Sequence, residues 1–250
     1  MISFQNLSAG YGPCDVLQNQ SAKTKRGELI ALIGPNGCGK STLLKTLCGI
    51  ISPSSGQISV GDKSLSEINL KSRAKHIAYL AQSREAIPSM SVEEVVRLGR
   101  APYRGTLGKI SSEGETAIAS ALTRTQSMIF KTRRFDSLSG GEQARVLLAR
   151  ALAVEAPVLL ADEPIAALDP FYQLSMMQIL KAEAAFGKTI ITALHDLTLA
   201  AQFADRIWIM HQGKIIADGP APDVLTAENL KTVFGIKLPK GGFKSLELAD

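Results

Sequence analysis

The stretch Gly34-Pro35-Asn36-Gly37-Cys38-Gly39-Lys40-Ser41-Thr42 reads as a glycine, four further residues, then Gly-Lys-Ser. That spacing suits a backbone that cradles phosphate oxygens. Glycines let the chain curl so that successive N–H groups point inward. Lys40 can then reach the β- and γ-phosphates of a nucleotide, and the Ser41 hydroxyl can hold Mg²⁺. Further along, Asp162-Glu163-Pro164 closes the apolar run Val158-Leu159-Leu160-Ala161. Carboxylates at the carboxyl end of a parallel strand overlie a ligand crevice. Asp162 suits Mg²⁺, and Glu163 suits a water that must be oriented and polarised. His195 ends another apolar run; it is either a structural histidine or a contact to a γ-phosphate or catalytic water. Gln82 closes a third run and can touch metal or water from a hinge.

A second anion site is encoded in Leu138-Ser139-Gly140-Gly141-Glu142-Gln143. Ser139 followed three residues later by Glu142 is a capping box. Taken alone it is a generic helix start. Beside a phosphate loop, two glycines in a first helical turn suggest bare amides open to an anion.

These groups need a scaffold. Residues 28–33 form an apolar run of buried-strand length, and Leu43, Leu44, Leu47, Ile50 and Ile51 recur at helical spacing after the loop. Strands are expected at 2–7, 16–22, 57–61, 76–81, 158–162 and 189–194, and a hairpin at 207–217. Turns are expected at 11–13 and 52–56. Helices are expected from Ser91 and from Ser112, with a break at 100–105 between them, and at 170–185, 197–204 and 223–234. Strand–helix alternation with near-continuous apolar strands implies an α/β fold with a parallel sheet flanked by helices. Residues 85–150 lack β-branched runs and read as a helical insertion.

Bulk properties narrow the function. The chain has 250 residues, 45% of them hydrophobic, which is enough for a sizeable core. Its net charge of +5 is mild, and aromatics are only 5%. Basic runs such as Lys131-Thr132-Arg133-Arg134 are then solvated faces, and no nucleic-acid partner is expected. Cys14, Cys38 and Cys48 lack metal-ligand spacing, which fits a reducing compartment. No signal peptide opens the chain, and no apolar run reaches spanning length: 146–161 is interrupted by Arg150, Glu155 and Pro157. Any work at a membrane would need other subunits to cross it.

The order of these motifs, with Ala167-Leu168-Asp169 after the second carboxylate, resembles the nucleotide-binding subunit of ABC transporters. Nearly the whole chain takes part. The resemblance implies a phosphate-loop nucleotidase core with an N-terminal antiparallel β subdomain. The expected division is core at 1–84, helical subdomain at 85–150, core again at 151–220, and a C-terminal helix and tail at 221–250. It also implies ATP and Mg²⁺ as ligands and a head-to-tail dimer with a second copy. Each ATP would lie between the phosphate loop of one chain and Ser139, Gly140, Gly141 and Glu142 of the other. Tyr11 falls where the family stacks an aromatic on adenine, though an ordinary surface tyrosine stays open. Asp169 would belong to a loop crossing the dimer interface.

Gly99-Arg100-Ala101-Pro102-Tyr103-Arg104-Gly105, Arg134-Phe135-Asp136-Ser137 and 195–201 resemble importers of iron–siderophore, haem or cobalamin type more narrowly. That implies a polytopic permease, an indirect link to a substrate-binding protein, and a place on the cytoplasmic face of the cell membrane. Ile165 departs from a common threonine and Ala161 from a larger aliphatic. Cys38 inside the phosphate loop suggests that thiol reagents block ATP binding. A soluble ATPase of the same family without a permease, as in iron–sulfur assembly, is the competing reading. A DNA-repair relative is disfavoured, because only 56 positions separate Gln82 from Leu138 (138 − 82), too few for a long coiled coil.

Overall fold

Apolar residues alternate along the central strands, and the alternation sorts the core into two layers. The computed structural model describes residues 1–12, 14–82, 89–104 and 109–237. In chain order it runs β1 (Ile2–Tyr11), β2 (Cys14–Lys23), β3 (Leu29–Ile33), α1 (Lys40–Leu47), β4 (Ser55–Val60), β5 (Lys63–Ser64), α2 (Leu70–His76) and β6 (Ile77–Leu80). Then follow α3 (Val92–Arg97), α4 (Ser112–Arg124), α5 (Gly140–Leu152), β7 (Val158–Asp162), α6 (Pro170–Ala185) and β8 (Thr189–Ala193). The chain continues through α7 (Leu197–Phe203), β9 (Arg206–His211), β10 (Lys214–Gly219), α8 (Ala221–Val224) and α9 (Ala227–Asn229).

The six-stranded sheet has the order β10-β9-β3-β8-β7-β6. Pairings from β9 to β6 are parallel; the edge strand β10 is antiparallel because a tight hairpin joins it to β9. Leu29, Ala31, Ile33, Leu159, Ala161, Ile207 and Ile209 point into one layer, with apolar residues of α5, α6 and α7. Ile30, Leu32, Val158, Leu160, Ile191, Trp208 and Met210 point into the other, against α1. The second layer is closed by the four-stranded antiparallel sheet β2-β1-β4-β5, through Ile2, Phe4, Leu7 and Ile58. Two covered faces explain why the parallel strands read as continuous apolar runs.

The helical segment is welded to the core. Val92, Val96, Ile118, Leu122 and Leu147 share one apolar cluster with Leu159 and Ile190. The start of that segment at 85–88 lies outside the described residues, as do Pro13 of the expected 11–13 turn, Gly105 and the end of the tail.

Several expectations are corrected. The α-helix opened at Ser91 does end before α4, but at Arg97, earlier than the expected break, and the chain tightens into a 3₁₀ helix over Leu98–Tyr103. Arg100 is buried there and donates to the Ala153 carbonyl at 2.7 Å and to Glu155 at 2.8 Å, so the turn is anchored from outside. Ser111, not Ser112, caps α4. The expected 223–234 helix is three pieces, with Thr226 accepting from the Asn229 amide to start α9 and a π-turn at Leu230–Phe234. The 52–56 turn ends early, because Ser55 and Gly56 already belong to β4.

Candidate functional site

Four adjacent parallel strands deliver the site. β3, β8, β7 and β6 are neighbours in that order, and their carboxyl ends lead into the phosphate loop, His195, Asp162-Glu163 and Gln82 respectively. Crevices of open α/β sheets form at that edge. Here it opens as a cleft of about 560 Å³ lined by Tyr11, Val16, Asn36, Gly37, Gly39, Lys40, Ser41, Thr42, Gln82, Glu163 and His195. A smaller cavity of about 200 Å³ between α1 and β4 has no group suited to phosphate chemistry beyond Arg73, whose guanidinium is tied to the Gly49 and Leu65 carbonyls.

Lys40 opens α1 and is buried. Its Nζ donates to the Gly34 carbonyl at 2.8 Å and to the Pro35 carbonyl at 3.2 Å, so the ammonium sits folded inside its own loop. A phosphate offers that ammonium full charge in place of two neutral carbonyls. Cys38 and Thr42 are buried beside it. The Cys38 thiol is pushed up by burial, an effect partly offset by the nearby Lys40 charge. The loop is braced from behind: the Cys38 carbonyl accepts from the Gly213 amide at 3.1 Å, at the turn between β9 and β10.

Ser41 Oγ donates to Asp162 Oδ1 at 2.9 Å, and the Tyr79 hydroxyl donates to Asp162 Oδ2 at 3.1 Å. Asp162 is buried, so both oxygens are satisfied where water is scarce. Burial and the neighbouring Asp162 carboxylate push the Tyr79 phenol up, which keeps it a donor. Tyr79 was not singled out by sequence reasoning. Its only signal was a phenol inside an otherwise aliphatic strand.

Glu163 sits at the centre of a second set. Gln82 Nε2 donates to Glu163 Oε2 at 2.6 Å, and His195 Nε2 lies 2.5 Å from Glu163 Oε1. An ionised carboxylate only accepts, so this contact suits the imidazole tautomer that has its hydrogen on Nε2. Glu163 has φ 50, a left-handed backbone that a non-glycine residue adopts at a cost of about 1–3 kcal/mol. Glu163 lines the cleft from this strand end.

Tyr11 is 56% exposed at the cleft rim, free to stack on a flat ring. Ser139, Gly140, Gly141, Glu142 and Asp169 do not line the cleft. Ser139 caps α5: its Oγ accepts from the Glu142 amide at 3.3 Å, and Glu142 accepts from the Ser139 amide at 2.7 Å. Ser139 and Gly140 are exposed, whereas Gly141 is buried. A Cβ on Gly141 would lie 2.3 Å from the Tyr172 ring, so its smallness serves packing within the chain. Asp169 caps α6, accepting from the Tyr172 amide at 3.0 Å.

Oxygen donors at Ser41 and Asp162, 2.9 Å apart beside a phosphate loop, are what a hard cation such as Mg²⁺ takes. The arrangement can bind a nucleoside triphosphate and hold a carboxylate near its terminal phosphate. No helix among the described residues is long and apolar enough to cross a membrane.

Comparison with known proteins agrees with this geometry. The family model for ABC transporters matches residues 17–166. The hemin import ATP-binding protein HmuV of Thermobifida fusca (strain YX) is 40% identical over 238 residues, covering 95% of this chain and 83% of that one. The petrobactin import ATP-binding protein FpuC of Bacillus anthracis is 36% identical over 239 residues, covering 95% and 88%. Among solved structures, a metal-chelate type ABC transporter in an inward-facing conformation aligns with a TM-score of 0.83 at 29% identity, covering 94% of this chain and 89% of that one. A dimeric ATP-binding cassette in a post-hydrolysis state, bound to ADP and Pi, aligns with a TM-score of 0.77 at 29% identity, covering 88% and 99%.

Proposed function

This chain belongs to the ABC transporter family, whose model matches more than half of it, and we propose that it drives import of hemin or an iron–siderophore complex. It binds ATP and hydrolyses it, as cassettes of this family do. One observation carries the mechanism: the phosphate loop, Glu163, His195 and Gln82 line one cleft, Asp162 is buried behind it against Ser41, and Ser139, Gly140 and Gly141 are not part of its lining. A single chain therefore holds half of a reaction centre.

Two copies pack head to tail, and Ser139 and Gly140 of each close over the triphosphate in the cleft of the other. Tyr11 stacks on the adenine. Lys40 leaves the Gly34 and Pro35 carbonyls for the β- and γ-phosphates, while the loop amides neutralise developing charge. Ser41 and Asp162 hold Mg²⁺, with Gln82 at its edge; when bound there the ion supplies further charge neutralisation. Glu163 orients the attacking water with the lone pairs that Gln82 and His195 leave free. His195 contacts the γ-phosphate. Closure completes the site, so hydrolysis waits on a conformational step.

The division at residues 84, 150 and 220 belongs to the same reading: Gln82 and the helical subdomain pass closure to a polytopic permease. A substrate-binding protein would deliver the iron complex to that permease, which places this chain on the cytoplasmic face of the membrane. Importer relatives and a dimeric cassette relative support this reading over a soluble ATPase without a permease.

The test is a purified chain assayed alone and with its permease in vesicles. Turnover should rise more steeply than linearly with protein concentration. Ser139→Ala should abolish that rise and leave nucleotide affinity within about twofold. A strictly monomeric preparation working at full rate, indifferent to Ser139→Ala, would sink the proposal.

A further inference from the structure

Two segments of this chain take no part in lining its own cleft: the first turn of α5, which starts at Gly140, and the first turn of α6, which starts at Pro170. They are far apart in sequence yet stacked in space. The Tyr172 ring lies flat over Gly141, since a Cβ there would be 2.3 Å from both Cγ and Cδ2. Arg145, one turn along α5, sets its guanidinium 4.8 Å from the centre of that ring and 5.7 Å from that of Phe171. Its Nη2 donates to Ser175 Oγ at 2.8 Å, and Arg145 is only 7% exposed. Phe171 meets Tyr172 edge to face at 5.4 Å. A cation buried between an aromatic ring and a hydroxyl holds its helices in one geometry.

We infer that Tyr172 is a positioning residue that locks Gly141 and Asp169 into one rigid block, so that both segments reach the partner's nucleotide in a fixed relation. The inference rests on the head-to-tail dimer proposed above. Asp169 and Tyr172 are joined by the cap of α6, and Tyr172 and Gly141 by direct stacking, so movement of either turn carries the other. Ser139 and Gly140 are exposed and directly precede the buried Gly141 in the chain. Pre-set donors act on developing charge without first being reordered. Tyr172 touches neither the reacting atoms nor the chain's own cleft.

The test separates binding from closure. Glu163→Gln provides the background in which an ATP-bound dimer accumulates; ATP affinity is measured at concentrations too low for dimers, and the dimer constant by sedimentation. Adding Tyr172→Ala should weaken ATP-driven dimerisation by about tenfold or more, keep monomer ATP affinity within about twofold, and be restored by Tyr172→Phe. Tyr172→Leu, which keeps bulk on α6 but cannot lie flat over Gly141, replaces the alanine variant should that fail to fold. Unchanged dimerisation overturns the inference. So does equal loss of monomer ATP affinity and dimerisation, which marks a residue needed only for folding. Failure of the Glu163→Gln parent itself to dimerise with ATP overturns the proposed function, and is seen before any Tyr172 variant is made.

Discussion

Glu163 and His195, thirty-two positions apart in sequence, meet through Oε1 and Nε2 at 2.5 Å. The same carboxylate accepts from Gln82 at 2.6 Å through its other oxygen. A carboxylate held at both ends cannot rotate, so its free lone pairs point in set directions. Residues following β6 and β8 thus converge on an acceptor that follows β7 and has a left-handed φ of 50.

Glu163→Gln keeps the shape and removes the charge. We expect ATP hydrolysis to fall by about 10²-fold or more, the range attributed to a positioned acid or base. Nucleotide affinity should stay within about twofold, because Lys40 and the loop amides are untouched. Phosphate release in a single turnover measures the first and titration with a fluorescent nucleotide the second. A normal rate would remove Glu163 from the chemistry.

Tyr79→Phe tests the hold on Asp162. The lost bond runs from a phenol to a carboxylate at 3.1 Å, and hydrogen bonds to charged groups are worth about 1.5–3 kcal/mol. Freed at Oδ2, the Asp162 carboxylate can swing away from Ser41. The Mg²⁺ concentration needed for half-maximal nucleotide binding should rise about tenfold, with metal-free nucleotide affinity unchanged. An unaltered Mg²⁺ requirement would show that Ser41 alone sets the geometry of Asp162.

The strands that end on Glu163, His195 and the phosphate loop were legible because burial on both faces leaves uninterrupted apolar runs. Ser139 and Glu142 were legible because a capping box is a local pattern. Other features escaped for physical reasons. Helix α2 buries none of its residues, so it has no apolar period to read; Asn69 at its cap was the only sign. The tail helix is divided because Thr226 starts a new turn, a choice that apolar spacing does not register. Tyr79 with Asp162, and Tyr172 with Gly141, are contacts across the fold. Nothing near each residue in sequence announces its partner.

Cys38 should react slowly. Its side chain is 5% exposed and burial pushes its thiol up from the ordinary 9.0. The thiolate is the reacting form, and each pH unit below the pKa lowers its fraction about tenfold. A raised pKa means that the fold favours the protonated thiol; that preference stabilises the protein below the ordinary thiol pKa and is lost as pH rises through the folded value. At neutral pH, alkylation of exposed Cys14 should precede that of Cys38 by about tenfold or more, and the Cys38 rate should climb steadily into alkaline pH. Peptide mapping after timed quenching reads both. Protein alkylated at Cys38 should lose ATP binding, since the thiol is packed inside the loop; retained affinity would mean that the loop tolerates an opening there.

Gly213 connects the sheet to the phosphate loop. It has φ +74, donates to the Cys38 carbonyl at 3.1 Å and accepts from the Gln18 amide at 3.2 Å. A Cβ there would stand 2.0 Å from the Val16 carbonyl oxygen, so an alanine must push β2 away or surrender the left-handed turn. Gly213→Ala is expected to cost about 2–4 kcal/mol, as strained backbone with a hard contact does. For a chain of this length the melting temperature should drop on the order of 10 °C. The same displacement loosens the Cys38 carbonyl, so ATP affinity should fall by several-fold even well below the melting transition. Normal affinity in a destabilised variant would show that the turn supports the fold without bracing the loop.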